Sequence, residues 1–315
     1  MLTLLAAFAL TTSCQKPPEL KNTQQPKNIS PKTLDFNQAA SSLSVMAYNL
    51  ENLFDNVSDN GEKPVPTEVL EKKLSQIAKG ILQVRGIGPD ILFVSEVENL
   101  NVLKMLNEKY LKGANYQTVA LIESDDERGI DVGVLSRLSL INEPILHKMP
   151  FSDVNTTRGI LEVTLEFKGG KTIKAFANHF PSQSNPVSQR REAAEYLLNL
   201  VNKANADYVI AGGDFNITTK EENEQKIFGG ILQSLDVTHF MGCETCLGTY
   251  SYKGRWDFLD TILVREKNVL LGSTVQIPNK APGQLNPDST PKRFDKTTGL
   301  GISDHLPIYV ELMLD

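Results

Sequence analysis

Apolar residues recur at three- and four-residue intervals over Leu70, Leu74, Ile77, Ala78, Ile81 and Leu82, a spacing that lays one apolar stripe along an α-helix. Thr67 precedes them at the N-cap position, and Gly86 and Gly88 mark the stop. The next run, Asp90 to Glu96, is apolar throughout its middle, as a strand buried on both faces would be. The same pair returns downstream, where a helix predicted over 188–203 buries Ala194, Leu197, Leu198 and Val201 and feeds a strand at 208–214. Twice, a helix delivers a strand whose far end carries a carboxylate. Further strands are predicted at 130–135, 159–167, 172–177, 258–264 and 306–312, the second and third joined by the turn Lys168-Gly169-Gly170-Lys171. No compositional break or internal repeat follows residue 43, so the pattern predicts a single α/β domain of mixed sheets with helices outside.

The N-terminus is different in kind. Met1 to Ser13 carry no charge and hold the apolar run 2–10, too short for the roughly 20 residues a membrane span needs but suited to the core of an export signal. Small polar residues then lead to Cys14, an order that resembles a bacterial lipoprotein signal with Cys14 as the lipidated residue. Thr11 stands where a large aliphatic residue is usual and no early Lys or Arg occurs, which keeps a plain secretory signal open. Residues 14–42, with Pro17, Pro18, Pro26 and Pro31 among polar residues, cannot bury enough surface to offset ordering entropy and read as a tether. The expected organisation is a signal at 1–13, a tether at 14–42 and a folded domain at 43–315, in an exported chain that is either an envelope lipoprotein or secreted.

With 32 Lys and Arg against 38 Asp and Glu, the net charge is −6. That excludes the broad positive field on which non-specific nucleic-acid binding rests, but not an enzyme with a local phosphate grip. Arg190–Arg191 and the group Lys292, Arg293 and Lys296 are candidates for one. Cys243 and Cys246, two of only three cysteines, form a C-x-x-C pair that an oxidising compartment would close into a disulfide staple. Zinc would need more ligands than this pair offers, even with His239 added.

Chemistry-bearing residues gather at strand ends. Gly212-Gly213-Asp214-Phe215-Asn216 permits a tight exit from a strand and sets a carboxylate beside a carboxamide, though alone it would pass for an Asx turn. Ser303-Asp304-His305-Leu306-Pro307 places an acid and an imidazole before another strand, a pairing suited to metal ligation or base catalysis. Glu96 ends a buried strand, and Asn49 lies within an apolar one.

Here the pieces align with a known family. Asn49, Phe93-Val-Ser-Glu96, Asn178-His179-Phe-Pro-Ser182, Gly213-Asp-Phe-Asn216, Trp256-Asp-Phe-Leu-Asp260 and Ser303-Asp-His-Leu-Pro307 occur in the order found in the endonuclease/exonuclease/phosphatase superfamily. The chain resembles an exported bacterial member over residues 43–315. The resemblance implies an α/β four-layer sandwich, two mixed β-sheets packed face to face with helices on both outer faces and the active site at one end. It implies Asn49, Glu96 and Asp304 as the metal residues and His179, Asp214, Asn216, Asp260 and His305 as the catalytic ones, with Asp260 fixing the tautomer of His305. Arg128, in a segment that resembles one lining the family's cleft, is carried as a substrate contact, and Arg158 is a further guanidinium before a strand. The implied cofactor is Mg²⁺, with Mn²⁺ or Ca²⁺ as alternatives. A hard cation held by oxygen ligands would neutralise charge on an anionic diester that otherwise repels hydroxide.

The expected activity is metal-dependent phosphodiester hydrolysis by a monomer, with nucleic acid as the leading substrate and the membrane met only through an N-terminal lipid anchor. A phospholipid- or inositol-phosphate-directed phosphoesterase is the alternative within catalysis, and an inactive surface binding module the alternative outside it. The segment 241–252, with Tyr250 and Tyr252, is the nearest thing to an apolar tip and reads as a stapled loop beside the cleft.

Overall fold

The computed structural model describes residues 41–58, 64–149, 151, 158–243, 246–265 and 269–315. The expected signal, Cys14 and all but the last two tether residues lie outside them. Along the chain run β1 (Ser41–Leu53), α1 (Thr67–Leu82), β2 (Ile91–Val97), α2 (Leu100–Met105), β3 (Thr118–Leu121), β4 (Asp131–Ser136), β5 (Ile145–His147), β6 (Ile160–Glu166) and β7 (Thr172–His179). Then come α3 (Val187–Lys203), β8 (Tyr208–Asp214), α4 (Thr219–Gln225), β9 (Leu235–Val237), α5 (Thr238–Gly242), β10 (Tyr250–Tyr252), β11 (Arg255–Asp257), β12 (Asp260–Arg265), β13 (Val269–Leu271) and β14 (Ile308–Leu314). Ser41 and Ser42, assigned to the tether by composition, pair with Leu314 and Met313 and belong to β1.

The strands form two six-stranded mixed sheets, ordered β13-β14-β1-β2-β4-β3 and β5-β6-β7-β8-β12-β9, with β10 and β11 as a separate hairpin. Strands apolar on both faces explain the layering. Successive residues of a strand point to opposite sides, so in β1 Val45 and Ala47 join the core between the sheets while Met46 and Tyr48 join the core beneath α1. In β8, Ile210 faces the other sheet and Val209 and Ala211 face α3 through Ala194 and Leu197. Helices thus cover both outer faces, and the fold is the expected four-layer sandwich. Phe93 is fully buried between the sheets, and truncation to Ala would cost about 3–5 kcal/mol.

The periodicity located α3 to within a residue, while α1 ends at Leu82, short of the expected stop at Gly86, and Thr67 is the first residue of α1, not its cap. Pro66 occupies the N-cap and no side chain bonds the first turn. A proline's fixed φ is compatible with a helix start, but its ring offers no acceptor to the first-turn amides.

Candidate active site

Strand register builds the site. Parallel pairing of β7 with β8 sets His179 beside Asp214, and antiparallel pairing of β12 with β8 sets Asp260 on its other side. In the second sheet β1 and β2 run parallel with Asn49 beside Ser95, one residue before Glu96. Asn49 links the sheets, its Nδ2 donating to Asp214 Oδ2 at 3.1 Å. Gly213 is required at the end of β8, since at φ +137° a Cβ would lie 2.0 Å from the Asn178 carbonyl oxygen.

The backbone here is held in unusual conformations. Glu51, Asn52, Glu96 and Asn216 all have φ between +51° and +60°, and the first three flank a register shift between β1 and β2. Non-glycine residues in the left-handed region cost energy and concentrate at functional sites. The register shift turns Glu96 so that its Oε2 accepts the Asn52 amide at 3.0 Å.

At the centre, His305 Nδ1 meets Asp260 Oδ2 at 2.6 Å, and its Nε2 lies 3.9 Å from Asp214 Oδ2. His179 Nε2 lies 3.6 Å from the same oxygen. All four side chains are buried. Burial alone would depress His305, but the carboxylates of Asp260, Asp214 and Asp304 outweigh it and push it up to about 10. Burial raises Asp214 to about 7 against the pull of His305. His179 goes well down, through burial and then through the cations Arg158 and Arg128, so its imidazole is neutral, and its Nδ1 has no protein partner. The three groups therefore hold different charge states in one pocket, which is how acid, base and neutral-donor roles are separated.

Two donor groups here suit a cation. Asp214, Asp260 and His305 offer ligand atoms all within 4.8 Å of one another, although His305 Nδ1 and Asp260 Oδ2 are already joined by their hydrogen bond. Glu51 and Asp304 form the second, at the mouth, with Glu96 and Asn49 alongside. Burial and then Asp304 raise Glu51 to about 7, against the pull of Lys73 and Arg293, as expected of a desolvated carboxylate beside a second one. Hard oxygen donors in that state fit Mg²⁺ or a similar ion.

Cations surround this mouth. Arg293 Nη1 reaches Glu51 Oε1 at 3.2 Å and its Nη2 reaches Asp304 Oδ2 at 2.6 Å. Buried Lys73 donates to the carbonyls of Glu51 and Asn52. Arg128 Nη2 donates to Asn52 Oδ1 at 2.6 Å and lies 3.6 Å from Glu96 Oε2. Arg158, mostly buried, faces Asp126 at 3.3 Å. A cleft of about 310 Å³ runs from His179 past Arg128, Arg158, Phe151 and Gln189.

The expected residues Asn49, Glu96, His179, Asp214, Asn216, Asp260, Asp304 and His305 lie together at one end of the sandwich, with Arg128 at the cleft. The side-chain amide of Asn216 points inward, donating to the Phe180 carbonyl at 3.2 Å, and its backbone amide donates to Asp214 Oδ1 at 2.9 Å. It supports Asp214. Cys243 and Cys246 are bonded to each other. Arg190 does not serve as a phosphate grip. It is buried, pairs with Glu221 and donates to the carbonyls of Pro181, Ser182 and Asn185. Sequence reasoning missed Glu51 and Lys73; Tyr250, expected in a loop beside the cleft, has its ring 4.8 Å from that of His305. Glu51, two residues beyond Asn49 in a strand, offered a period-two signal that was available.

The family model of the Endonuclease/Exonuclease/phosphatase family matches residues 44–314. No curated protein sequence matches the chain. Among solved structures, D. rerio TDP2 complexed with a single-strand DNA product is similar at 19% identity and TM-score 0.60, over 86% of this chain and 99% of that one. An endonuclease/exonuclease/phosphatase family protein from Bacteroides thetaiotaomicron is similar at 18% identity and TM-score 0.58, over 88% and 99%. One from Beutenbergia cavernae is similar at 16% and 0.58, over 87% and 72%.

Proposed function

The chain belongs to the endonuclease/exonuclease/phosphatase family, whose members are metal-dependent phosphoester hydrolases, and from that premise we propose that it is a Mg²⁺-dependent phosphodiesterase acting on nucleic acid outside the cytoplasm. The observation that carries the reading is the joining of Asn49, Asp214, His179, Asp260 and His305 across two sheets within a few ångströms. A relative of the same fold is complexed with single-strand DNA product, which favours nucleic acid as the substrate class.

Asp214, raised toward neutrality by burial, takes the proton from the attacking water, while Asn49 and the Asn216 amide fix its two oxygens. His305, held as an imidazolium by Asp260, binds a phosphate oxygen through Nε2. Neutral His179 donates a hydrogen bond to a non-bridging oxygen of the pentavalent phosphorane or to the leaving oxygen. Asn49, Glu51, Glu96 and Asp304 would hold a divalent ion, which would neutralise charge on the ester. The Cys14 signal, a tether that ends before β1 at Ser41, a monomeric state and membrane contact only through a lipid anchor complete the proposal, together with Arg128 as the phosphate contact at the cleft.

One observation favours a second reading, phospholipid-directed hydrolysis. Met241, Leu247 and Tyr252, in the segment that carries Tyr250, and Phe240 just before it are all exposed, and exposed apolar side chains suit an interface. A panel of single-stranded DNA, duplex DNA, RNA, sphingomyelin and inositol phosphates, with and without EDTA, separates the two. Cleavage of the nucleic acids that EDTA abolishes is expected. Turnover confined to lipid would replace the first reading with the second, and no turnover with Mg²⁺ or Mn²⁺ would leave a binding module.

A further inference from the structure

Arg293 lies in no strand or helix and on no catalytic motif, yet it is placed with care. At Gly301, φ is +86° and a Cβ would sit 1.8 Å from the Arg293 carbonyl oxygen, so only glycine lets this segment lie against the stretch leading to Ser303, Asp304 and His305. Ile302 donates to the Lys292 carbonyl at 2.9 Å. On the other side the Phe294 amide donates to Glu51 Oε2 at 3.1 Å, and the Phe294 ring lies 5.5 Å from the Lys73 ammonium. The backbone is thus pinned to both carboxylate-bearing segments, and the guanidinium spans them, one nitrogen on Glu51 and the other on Asp304. Tyr250 is within hydrogen-bonding reach of the same group. With its side chain 67% exposed, Arg293 reaches this position from the solvent side and can leave it.

We propose that Arg293 is a place-holder for the divalent cation, pairing Glu51 with Asp304 until the ion displaces it and then turning to an anionic oxygen of the substrate. A planar fork bridging two carboxylates supplies one of the two positive charges a dication would bring. Both partners cannot serve guanidinium and ion fully at once, so the ion must compete. Once displaced, the guanidinium faces the mouth beside Tyr250, where an ester phosphate restores its pairing. The inference rests on reading this centre as a cation-dependent phosphodiesterase.

The test is Mn²⁺ binding to the full chain, followed by electron paramagnetic resonance of the free ion, for wild type, R293Q and R293K. Hydrolysis of bis(p-nitrophenyl) phosphate is measured in parallel. Competition predicts Mn²⁺ bound at least about threefold more tightly by R293Q. It predicts tightening by R293K as well, because lysine keeps the charge but loses the fork. KM should rise in both variants. Tightening by R293Q alone, with R293K equal to wild type, would reduce the effect to a distant field and overturn the proposal. Weaker binding by R293Q would make Arg293 a scaffold for the carboxylates and also overturn it, as would an unchanged KM. Absence of hydrolysis with the affinity differences intact would sink the phosphodiesterase reading alone, and absence of Mn²⁺ binding in wild type would sink both.

Discussion

Asp260→Asn isolates the charge that sets the state of His305. Asparagine keeps the size of the side chain and an oxygen able to accept from Nδ1–H, so the pocket stays filled and only the negative charge 2.6 Å from the imidazole is lost. Both partners are buried, and removing one charge of a buried pair costs about 3–5 kcal/mol when the other stays charged. His305 avoids much of that cost by releasing its proton. Its value should therefore fall from about 10 to the region of the ordinary 6.5, because burial, the largest influence, then meets only Asp214 and Asp304. The chain has four histidines, so the imidazole Cε1 protons can be followed individually by NMR from pH 5 to 10.5, with H305Q supplying the assignment. The phosphodiesterase rate should fall by about 10²–10⁴, the range for losing correctly charged acid–base machinery. A His305 resonance that titrates near 6.5 in wild type, or one that stays near 10 in D260N, would refute the reasoning.

Further outcomes follow from the same geometry. Asp214→Ala should lower kcat by about 10²–10⁴ while leaving the thermal unfolding temperature close to wild type, because it removes a desolvated carboxylate; retained turnover would contradict its role as base. Arg190→Ala leaves Glu221 half-buried without its guanidinium and should destabilise the domain by about 3–5 kcal/mol in urea unfolding, with normal KM in the protein that remains folded. For pH, the folded value of His305 lies above its unfolded 6.5, so its stabilising contribution is complete below pH 6.5 and lost as pH rises toward 10. Lys73, lowered to about 8 by burial, acts in the opposite sense above that pH. The informative quantity is therefore the difference in unfolding temperature between wild type and D260N, which should shrink between pH 6.5 and 10.

Much of this was readable in the chain because the same residues carry both pattern and chemistry. The strands β2 and β8 are apolar on both faces and end in acids, so period and polarity together located Glu96 and Asp214. Short strands such as β3, β5 and β9 carry no such run, and sheet order depends on pairings between residues more than a hundred positions apart, as with β1 and β14, which periodicity does not encode. Glu51 escaped because no motif singled it out, although it stands two residues beyond Asn49 in the same strand; its left-handed φ leaves no mark in the sequence. Arg190 misled because a basic pair in sequence reads as surface, whereas the carbonyls of Pro181, Ser182 and Asn185 before α3, together with Glu221, draw this one inside. Arg293 was noticed as charge, but its tie to Glu51 across 242 residues of chain needed the fold.

The central claim is that one end of the sandwich hydrolyses phosphodiesters with the help of a divalent ion held by its carboxylates. Protein stripped with EDTA, dialysed, and assayed on a single-stranded DNA oligonucleotide before and after addition of Mg²⁺ tests it most directly. The account predicts no cleavage by the stripped protein and full recovery on readdition, absent in D214A; equal cleavage with and without the ion would contradict it.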